Sequence, residues 1–316
     1  MIIPDAGEIN SNIELLTPQT HENVAIIPLK TAPNFKLDLL TLKKGFELGL
    51  VEVKECSQST VNTLVVENKS IVPLILIDGE EVVGGKQNRI LNSTIVIAPH
   101  SESNVPVSCT ERGRWSYKSE FKSSTHIADF NTRRVKAYAL RKKSPVQNEV
   151  WSSIDRLERV HEFTSPTSAM NESYENQKIN LSGALKSFEI VDGQTGVLII
   201  IDGEIKGFEL FLNHEIYREF HEKILKSYLI DCEIKTTTFT INIDEARILV
   251  DNAFDSNFES KEGIGLEKRF EFESFQGLGN MYVYENEIMH MSYFTKEDET
   301  DVDEEMTDDA ELKSDV

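Results

Sequence analysis

Two segments of this chain carry the side chains best suited to chemistry. In the first, two glycines precede four residues whose side chains carry hydrogen-bond donors. Adjacent glycines reach backbone conformations that other residues avoid and let a partner approach closely. The donors suit carboxylate, phosphate or amide oxygens. We therefore expect an anion or nucleotide contact at Gly84, Gly85, Lys86, Gln87, Asn88 and Arg89.

This segment does not have the pattern of a phosphate-binding loop. It contains neither GxxxxGK[ST] nor GxGxxG followed by a helix, and Ile90-Leu91-Asn92 leads into another strand. A turn or β-bulge that needs glycine for its backbone alone explains the same residues. The sequence leaves both interpretations open.

The second segment runs from Val107 to Trp115 and contains Cys109 and Arg114. A Cys followed by a loop ending in Arg is typical of rhodanese and phosphatase sites, where backbone N–H groups and the Arg lower the thiol pKa. The spacing here is one residue short and no His precedes the Cys, so a buried structural Cys is favoured. Trp offers a stacking plane and Arg a planar fork of donors. We expect a binding surface at Arg112, Arg114 and Trp115.

The histidines favour no metal site and no cofactor is expected. There is no HExxH, and His214 and His221 stand seven apart on one predicted helix without a carboxylate set to complete a site. Cys56, Cys109 and Cys232 are sparse and odd in number, which is typical of a reducing cytoplasm. Neither a signal peptide nor a transmembrane helix is expected.

Charge is distributed unevenly along the chain, whose net charge is -21. Residues 297–316 hold eleven acidic residues against one lysine and lack aromatics, so we expect a disordered acidic tail. Residues 112–143 hold ten Lys and Arg against two acidic residues. Such a stretch favours an anionic ligand and, more weakly, nucleic acid. A solvated helix face or loop explains it equally well.

The hydrophobic pattern predicts the elements that must position these residues. A lead-in, residues 1–22, precedes one unit spanning 23–296, which is β-rich over 23–128, helical over 129–185 and mixed over 186–296. The short strands of the first part favour an antiparallel sheet. Helices are predicted over 130–143 and 146–163. The fold class is α+β, with a largely antiparallel β-rich N-terminal half, central helices and a mixed C-terminal half.

Three segments share the form of a strand, a short polar turn and a second strand: 74–83, 197–208 and 281–294. The strongest hairpin is 196–211, because Asp202-Gly203 supplies the positive φ angles of a type I′ turn. Asp78-Gly79 stands at the corresponding place in the first segment. A repeated β-unit is one interpretation of the three, and independent hairpins are the other.

The two motifs together resemble a known prokaryotic family. The resemblance rests on Asp78-Gly79-Glu80, the GGKQ-x-R segment 84–89 and the C-x-E-x-GRW segment 109–115. Further matches are residues 148–151, 207–211, 223–228 and 288–294. The chain is similar, from about Val24 to Phe294, to the ARG and rhodanese-phosphatase-superfamily-associated protein domain.

This resemblance implies a role near ADP-ribose or NAD-derived nucleotides. The family's name records an association with ADP-ribosylglycohydrolases and phosphatase-like proteins. Where the family has Gln-Asp-Arg, this chain has Gln87-Asn88-Arg89. If a carboxylate at that position performs acid–base chemistry, this chain lacks it.

Three functional hypotheses follow. The first is a binding or accessory module for an anionic nucleotide such as ADP-ribose, with phosphate contacts from Lys86, Arg89, Arg112 and Arg114, orientation by Gln87 and Glu111, and stacking on Trp115. The second is a hydrolase of such a nucleotide, with Glu111 or Glu80 as general base. The third is a structural interaction module whose motifs only shape turns. The oligomeric state stays open.

Overall fold

The computed structural model of the protein describes residues 12–31, 37–56, 61–237 and 239–296. The predicted acidic tail and residues 1–11 of the lead-in lie outside the described residues. Strands dominate the first part of the described chain, helices the middle, and both occur in the last part. The α+β fold class is confirmed.

The N-terminal part is built from short strands and one helix. The helix is α1 (Leu42–Glu47), and the Thr41 side chain caps it by accepting from the Lys44 N–H at 3.4 Å. The strands are β1 (Ile13–Leu15), β2 (Gln19–His21), β3 (Val24–Thr31), β4 (Leu40–Thr41), β5 (Val51–Glu55), β6 (Thr63–Asn68), β7 (Leu74–Leu76), β8 (Glu80–Val83), β9 (Arg89–Leu91), β10 (Ile95–Ile97), β11 (Ser101–Cys109) and β12 (Lys122–Ile127).

Most of these strands form two sheets. One has the order β10-β7-β4 and the other β12-β8-β9-β11-β6-β5. The pairings are antiparallel except that of β4 with β7, as the short β-branched strands predict. A core of Val, Leu and Ile side chains from both sheets packs together with Phe121. The six-stranded sheet positions the two motifs of the sequence, because β8 and β9 flank the first motif and β11 leads into the second.

Four helices follow and lie next in the chain. They are α2 (Phe130–Lys142), α3 (Val146–Val160), α4 (Met170–Asn176) and α5 (Lys178–Leu185). Asp129 caps α2, and α3 buries one stripe formed by Val150, Ile154 and Leu157. In the described parts of the chain, no helix is long and apolar enough to cross a membrane.

The C-terminal part forms a nine-stranded sheet that also takes in the first strands of the chain. Its own elements are β13 (Gly196–Ile201), β14 (Glu204–Phe211), α6 (His214–Leu229), α7 (Ile243–Phe254), β15 (Asn257–Glu262), β16 (Lys268–Glu273), β17 (Gly277–Tyr284) and β18 (Glu287–Thr295). The order is β1-β3-β13-β14-β18-β17-β16-β15, and β2 also pairs with β3.

Strand β3 joins the beginning of the chain to the C-terminal sheet. It pairs with β1 and β2 along one edge and with β13 along the other. Alternate side chains of a strand face opposite sides of the sheet. Val24 and Ile26 therefore pack with α3 and α6, whereas Ala25 and Ile27 pack with α7 on the other side. The first of these cores also contains residues of β7, β9 and β10, so it is continuous between the two parts.

The turn at Asp78-Gly79 differs from the predicted hairpin. It joins β7 to β8, and these two strands belong to different sheets. A type I′ turn needs positive φ at both central residues, and here only Gly79 has it, with φ 82°. Asp202 and Gly203, with φ 54° and 85°, do form such a turn between β13 and β14. The three strand–turn–strand segments therefore do not share one structure.

A group of buried charges connects α2 with both sheet regions. Arg133 donates to both carboxylate oxygens of Glu209, and His290 Nε2 lies 2.9 Å from Glu209 Oε2. Lys136 donates to the Asp78 carboxylate. We call these five residues the interior ion cluster. Their side chains are at most 6% exposed. Two residues of the basic stretch, Arg133 and Lys136, therefore contribute nothing to the surface charge.

A pair of carboxyl groups is buried at the start of α2. Asp129 accepts from the Thr132 N–H at 2.8 Å, and Asp231 accepts from Arg156 at 2.8 Å. Burial, aided by the charge of Asp231, raises the pKa of Asp129 to about 7. Burial also raises the pKa of Asp231, against the opposing charge of Arg156.

Candidate functional site

The two glycines of the first motif make room for the protein's own chain. Gly84 and Gly85 have φ 131° and 53°, which favour glycine. Gly85 exchanges backbone hydrogen bonds of 2.9 and 3.0 Å with residues 118–119. A Cβ on Gly84 would lie 2.5 Å from the carbonyl oxygen of Glu120, and a Cβ on Gly85 2.3 Å from Phe121. The close partner expected at these glycines is therefore segment 118–121.

Arg114 fastens the second motif to the first. Its guanidinium donates to Glu111 at 2.8 and 2.5 Å in a two-pronged ion pair. It also donates to the carbonyl oxygens of Gly84 at 3.2 Å and Gly85 at 2.7 Å. A further bond of 3.2 Å reaches the Asn88 side chain. The structure thus brings residues 84–88 and 111–114 together, but the donors of Arg114 are directed to the protein rather than outward.

The Glu111 carboxylate is equally committed to internal contacts. Besides Arg114, it accepts from the Asn88 N–H at 3.3 Å and from the Thr167 hydroxyl at 3.1 Å. Burial alone would raise its pKa, but the hydrogen bond and charge of Arg114 leave the pKa of Glu111 below its usual value. A general base works best with a pKa near the working pH. The geometry therefore suits a structural role for Glu111 better than catalysis.

Glu80, the other predicted base, lies in a separate hydrogen-bond network. It is fully buried and accepts from Lys223 Nζ at 3.2 Å and from the Ile77 N–H at 2.9 Å. Burial raises the pKa of Glu80, while the charge of Lys223 opposes the rise. The structure therefore does not bring Glu80 and Glu111 together as a catalytic carboxylate pair.

Two of the predicted donors of the first motif are buried. Arg89 is 3% exposed and donates to the carbonyl oxygens of Val61 at 3.3 Å and Asn88 at 3.1 Å. Burial lowers the pKa of Arg89. Gln87 donates to the Arg112 carbonyl at 3.5 Å, and its side-chain oxygen has no hydrogen-bond partner among the described residues. Neither side chain is placed to reach a ligand in solution.

Asn88 is enclosed between the motifs and helix α4. Its side chain accepts from the Gly84 N–H at 3.1 Å and donates to Asn171 on α4 at 3.0 Å. The Met170 N–H at the start of the same helix donates to the Thr110 carbonyl at 2.9 Å. Helix α4 therefore supports both motifs from behind, a contact that the motifs themselves do not reveal.

The surface of the site is the segment 112–118, which we call the aromatic loop. Trp115 and Tyr117 are each 62% exposed, and Lys118 and Arg112 are exposed beside them. Arg112 pairs with Asp155 at 3.0 Å and lies over the Trp151 ring at 4.9 Å. The sequence interpretation found Trp115 but missed Tyr117, which the same stacking argument applied two residues later would have found.

Lys86 adds a cation beside the aromatic loop. Its side chain is 58% exposed and lies 3.4 Å from Glu55. The Lys118 N–H donates to the carbonyl oxygen of Gly85, the residue before Lys86, so Lys86 lies beside the end of the loop at Lys118. Of the predicted ligand contacts, Lys86, Arg112 and Trp115 face solvent, whereas Gln87, Asn88 and Arg89 are buried and Arg114 is held internally. The site thus consists of buried, hydrogen-bonded residues that hold in place an exposed surface of aromatic rings and cations.

Comparison with known proteins identifies the family. The model of the ARG and Rhodanese-Phosphatase-superfamily-associated Protein domain matches residues 12–294. This chain belongs to that family. No curated protein and no solved structure matches the chain.

In this ARG and Rhodanese-Phosphatase-superfamily-associated Protein domain, Cys109 has the environment of a structural cysteine. The thiol is buried, and burial raises its pKa although Arg89 opposes the rise. The Gln147 side chain pairs with the Cys109 backbone through bonds of 2.8 and 3.0 Å. A thiol nucleophile requires a lowered pKa, so the geometry is unlike that of a phosphatase nucleophile.

The structure of this family member offers no obvious metal centre in the parts that it describes. No three His, Cys, Asp or Glu side chains among the described residues gather closely enough to hold a metal ion. His126 and Glu81, 2.8 Å apart, are buried, and the ring of Tyr174 stacks on His126 at 3.9 Å. These residues pack behind the motifs.

Proposed function

We propose that the protein is a binding module for an anionic nucleotide, with ADP-ribose as the first ligand to test. The observation that carries the proposal is the aromatic loop, in which Trp115 and Tyr117 stand exposed on a segment that Arg114 fixes in place. A ring held in position offers a stacking surface without a large entropy loss on binding. Stacking of a base on an aromatic side chain contributes about 1–3 kcal/mol.

The cations around the loop supply the contact for phosphate. Lys86 and Lys118 border it, and Arg112 lies at its start. Arg112 and Lys86 are paired with Asp155 and Glu55, but these pairs are exposed to solvent and therefore weak. A diphosphate can replace the carboxylates at little cost. Arg114 and Glu111 are positioning residues in this proposal.

The geometry supports binding over hydrolysis. The Glu111 carboxylate accepts from three residues, and Glu80 is buried against Lys223. Neither is free to take a proton from a water molecule beside the aromatic loop. Incubation of the purified protein with ADP-ribose is therefore expected to give no product, and turnover that Glu111→Gln abolishes would support the hydrolase instead.

Calorimetry with ADP-ribose and NAD tests the binding proposal. We expect saturable heat with the unmodified protein and an affinity at least tenfold lower for the double variant Trp115→Ala, Tyr117→Ala. Phe275→Ala is the matched control, because Phe275 is 77% exposed on the turn between β16 and β17. Absence of binding at millimolar ligand by folded protein, or equal affinities of the double variant and the control, would exclude the proposed site.

A further inference from the structure

A cavity of about 690 Å³ lies away from the two motifs. Its walls are the C-terminal ends of α3 and α6, the inner side of α5 and the segment 232–234. It contains none of the residues of the aromatic loop. Its volume is within the range of roughly 300–1,000 Å³ that is typical of small-molecule sites. The cavity is large enough for a ligand of its own.

Half of the described residues that line this cavity are aliphatic. Leu181, Leu229 and Ile230 line it from within, and each is buried. Val160 and Ile179 line its rim, where they are 52% and 84% exposed. Covering apolar surface that faces water with an apolar ligand lowers the free energy of the complex. The lining therefore favours a ligand that is itself largely apolar.

Charge excludes the ligand class proposed for the aromatic loop. Among the described residues that line the cavity, Glu233 is the only Asp, Glu, Lys or Arg. Its side chain is 80% exposed and pairs with Lys235 at 3.2 Å, outside the apolar part. Burial lowers the pKa of His161, which also lines the cavity, so that its ring is neutral at pH 7. Among the described residues that line the cavity there is no Lys or Arg side chain to pair with a phosphate or carboxylate.

A few polar groups at the edge can orient a ligand. The amide side chains of Gln177 and Asn180 lie there, joined by a bond of 2.8 Å. The Cys232 thiol is also in the lining, and burial raises its pKa to about 11, so it carries no charge. A small polar set in an apolar wall is the usual composition of a small-molecule site. One hydrogen-bonding group on the ligand is enough to use it.

Gly183 lines one wall of the cavity without a side chain. It lies within α5, yet a Cβ added to it would meet nothing within 4 Å. Glycine in the middle of a helix is unfavourable relative to alanine, and here no contact in the described structure requires it. Because Gly183 is also one of the lining residues, a larger side chain here would extend from the cavity wall into open space.

We propose that this cavity binds an uncharged, mainly apolar small molecule that carries one hydrogen-bonding group, with Gly183 at its entrance. The ligand would lie between α3, α5 and α6 and would cover Val160 and Ile179. This site is independent of the nucleotide proposal, because the two surfaces share no residue and one is proposed for an anionic ligand, the other for an uncharged ligand.

Fluorescence of N-phenyl-1-naphthylamine, an uncharged apolar probe with one N–H group, tests the proposal. We expect a saturable, blue-shifted emission with the full chain. Gly183→Leu should lower the affinity at least tenfold, because the leucine occupies the entrance, and leave the unfolding temperature unchanged or higher. No saturable emission, or full emission with folded Gly183→Leu protein, would overturn the proposal.

Two further arms test the lining and the charge. Val160→Gln with Ile179→Gln, both at exposed helical positions, should lower the affinity about fivefold, and Ile248→Gln, 55% exposed on α7, should not change it. 1-Dodecanol should displace the probe at a concentration at least tenfold lower than dodecanoate does. Equal displacement by the two compounds, or equal effects of the rim and control variants, would contradict the assignment.

Discussion

The basic stretch 112–143 supplies cations to two regions that use them in opposite ways. In the interior ion cluster, the side chains of Arg133 and Lys136 are at most 1% exposed and pair with carboxylates. In the aromatic loop, Arg114 is 12% exposed and its neighbours point into water. The interior ion cluster connects α2 with both sheet regions. The aromatic loop exposes rings and cations to solvent.

The difference shows how little a run of like charges says about a surface. Two carboxylates from distant parts of the chain, Glu209 and Asp78, pair with two cations of α2, Arg133 and Lys136. In the loop, the guanidinium of Arg114 is directed to the Glu111 carboxylate, whereas the side chains of Arg112 and Lys118 are exposed. Buried ion pairs are costly unless they are well bonded, so the two regions should respond differently to substitution.

We expect the largest effect at the interior ion cluster. Arg133→Met leaves the Glu209 carboxylate fully buried beside an apolar side chain, which costs about 3–5 kcal/mol of unfolding free energy. Chemical denaturation measures this loss. Arg218→Met is the control, because its pair with Glu215 has both side chains more than half exposed. Equal losses in the two variants would contradict the structural role of the cluster.

A smaller loss is expected when the aromatic loop is released. Arg114→Met removes the partner of Glu111 and of two glycine carbonyls, so we expect it to cost about 1.5–3 kcal/mol. Unlike Arg133→Met, it should also weaken ADP-ribose binding under conditions where the protein is folded. A cycle with Glu111→Gln measures the coupling. Additive losses would show that the ion pair does not hold the loop.

The carboxyl pair beside α2 adds a dependence on pH. The pKa of Asp129 is raised to about 7 in the folded protein, so the folded state binds a proton that the unfolded state releases above about pH 4. Stability should therefore fall as the pH rises between about 4 and 7, by up to about 1.4 kcal/mol per pH unit. Asp129→Asn keeps a side chain that can cap α2 and should flatten this slope. An unchanged slope would exclude Asp129 as its source.

The smallest effect on stability is expected at the rim of the aromatic loop. Lys86→Gln removes one exposed charge and should change the unfolding free energy by less than about 0.5 kcal/mol. It should nevertheless lower the affinity for ADP-ribose and weaken its dependence on salt. Calorimetry at two ionic strengths measures both. Lys178→Gln, also exposed and paired with Glu175, is the control.

Local sequence signals predicted the elements well. The hairpin formed by β13 and β14 was predicted from Asp202-Gly203. Helices α2 and α3 begin at the predicted residues 130 and 146 and end within three residues of the predicted ends. Turn chemistry and capping act within a few residues, so the sequence contains what they need.

Contacts between distant residues were not predictable in the same way. The sequence gives no sign that Gly84 and Gly85 accommodate residues 118–121, because the close contact depends on the pairing of β8 with β12. The burial of Arg89 depends similarly on where neighbouring strands lie. Residue types suggested the candidate residues, whereas the direction of each side chain followed from the fold.

The place of β3 in the sheet has a consequence for synthesis. Val24 to Leu29 are synthesised before their partner β13, which follows only after the intervening strands and helices. At about 5–20 residues per second, this strand waits on the order of ten seconds for its neighbour. During that time the edge of β3 that pairs with β13 through Ile26 and Ile27 lacks its backbone partner, and an unpaired strand edge can pair with other chains. We therefore expect the nascent chain to need shielding of this edge, by its own N-terminal sheets or by a chaperone.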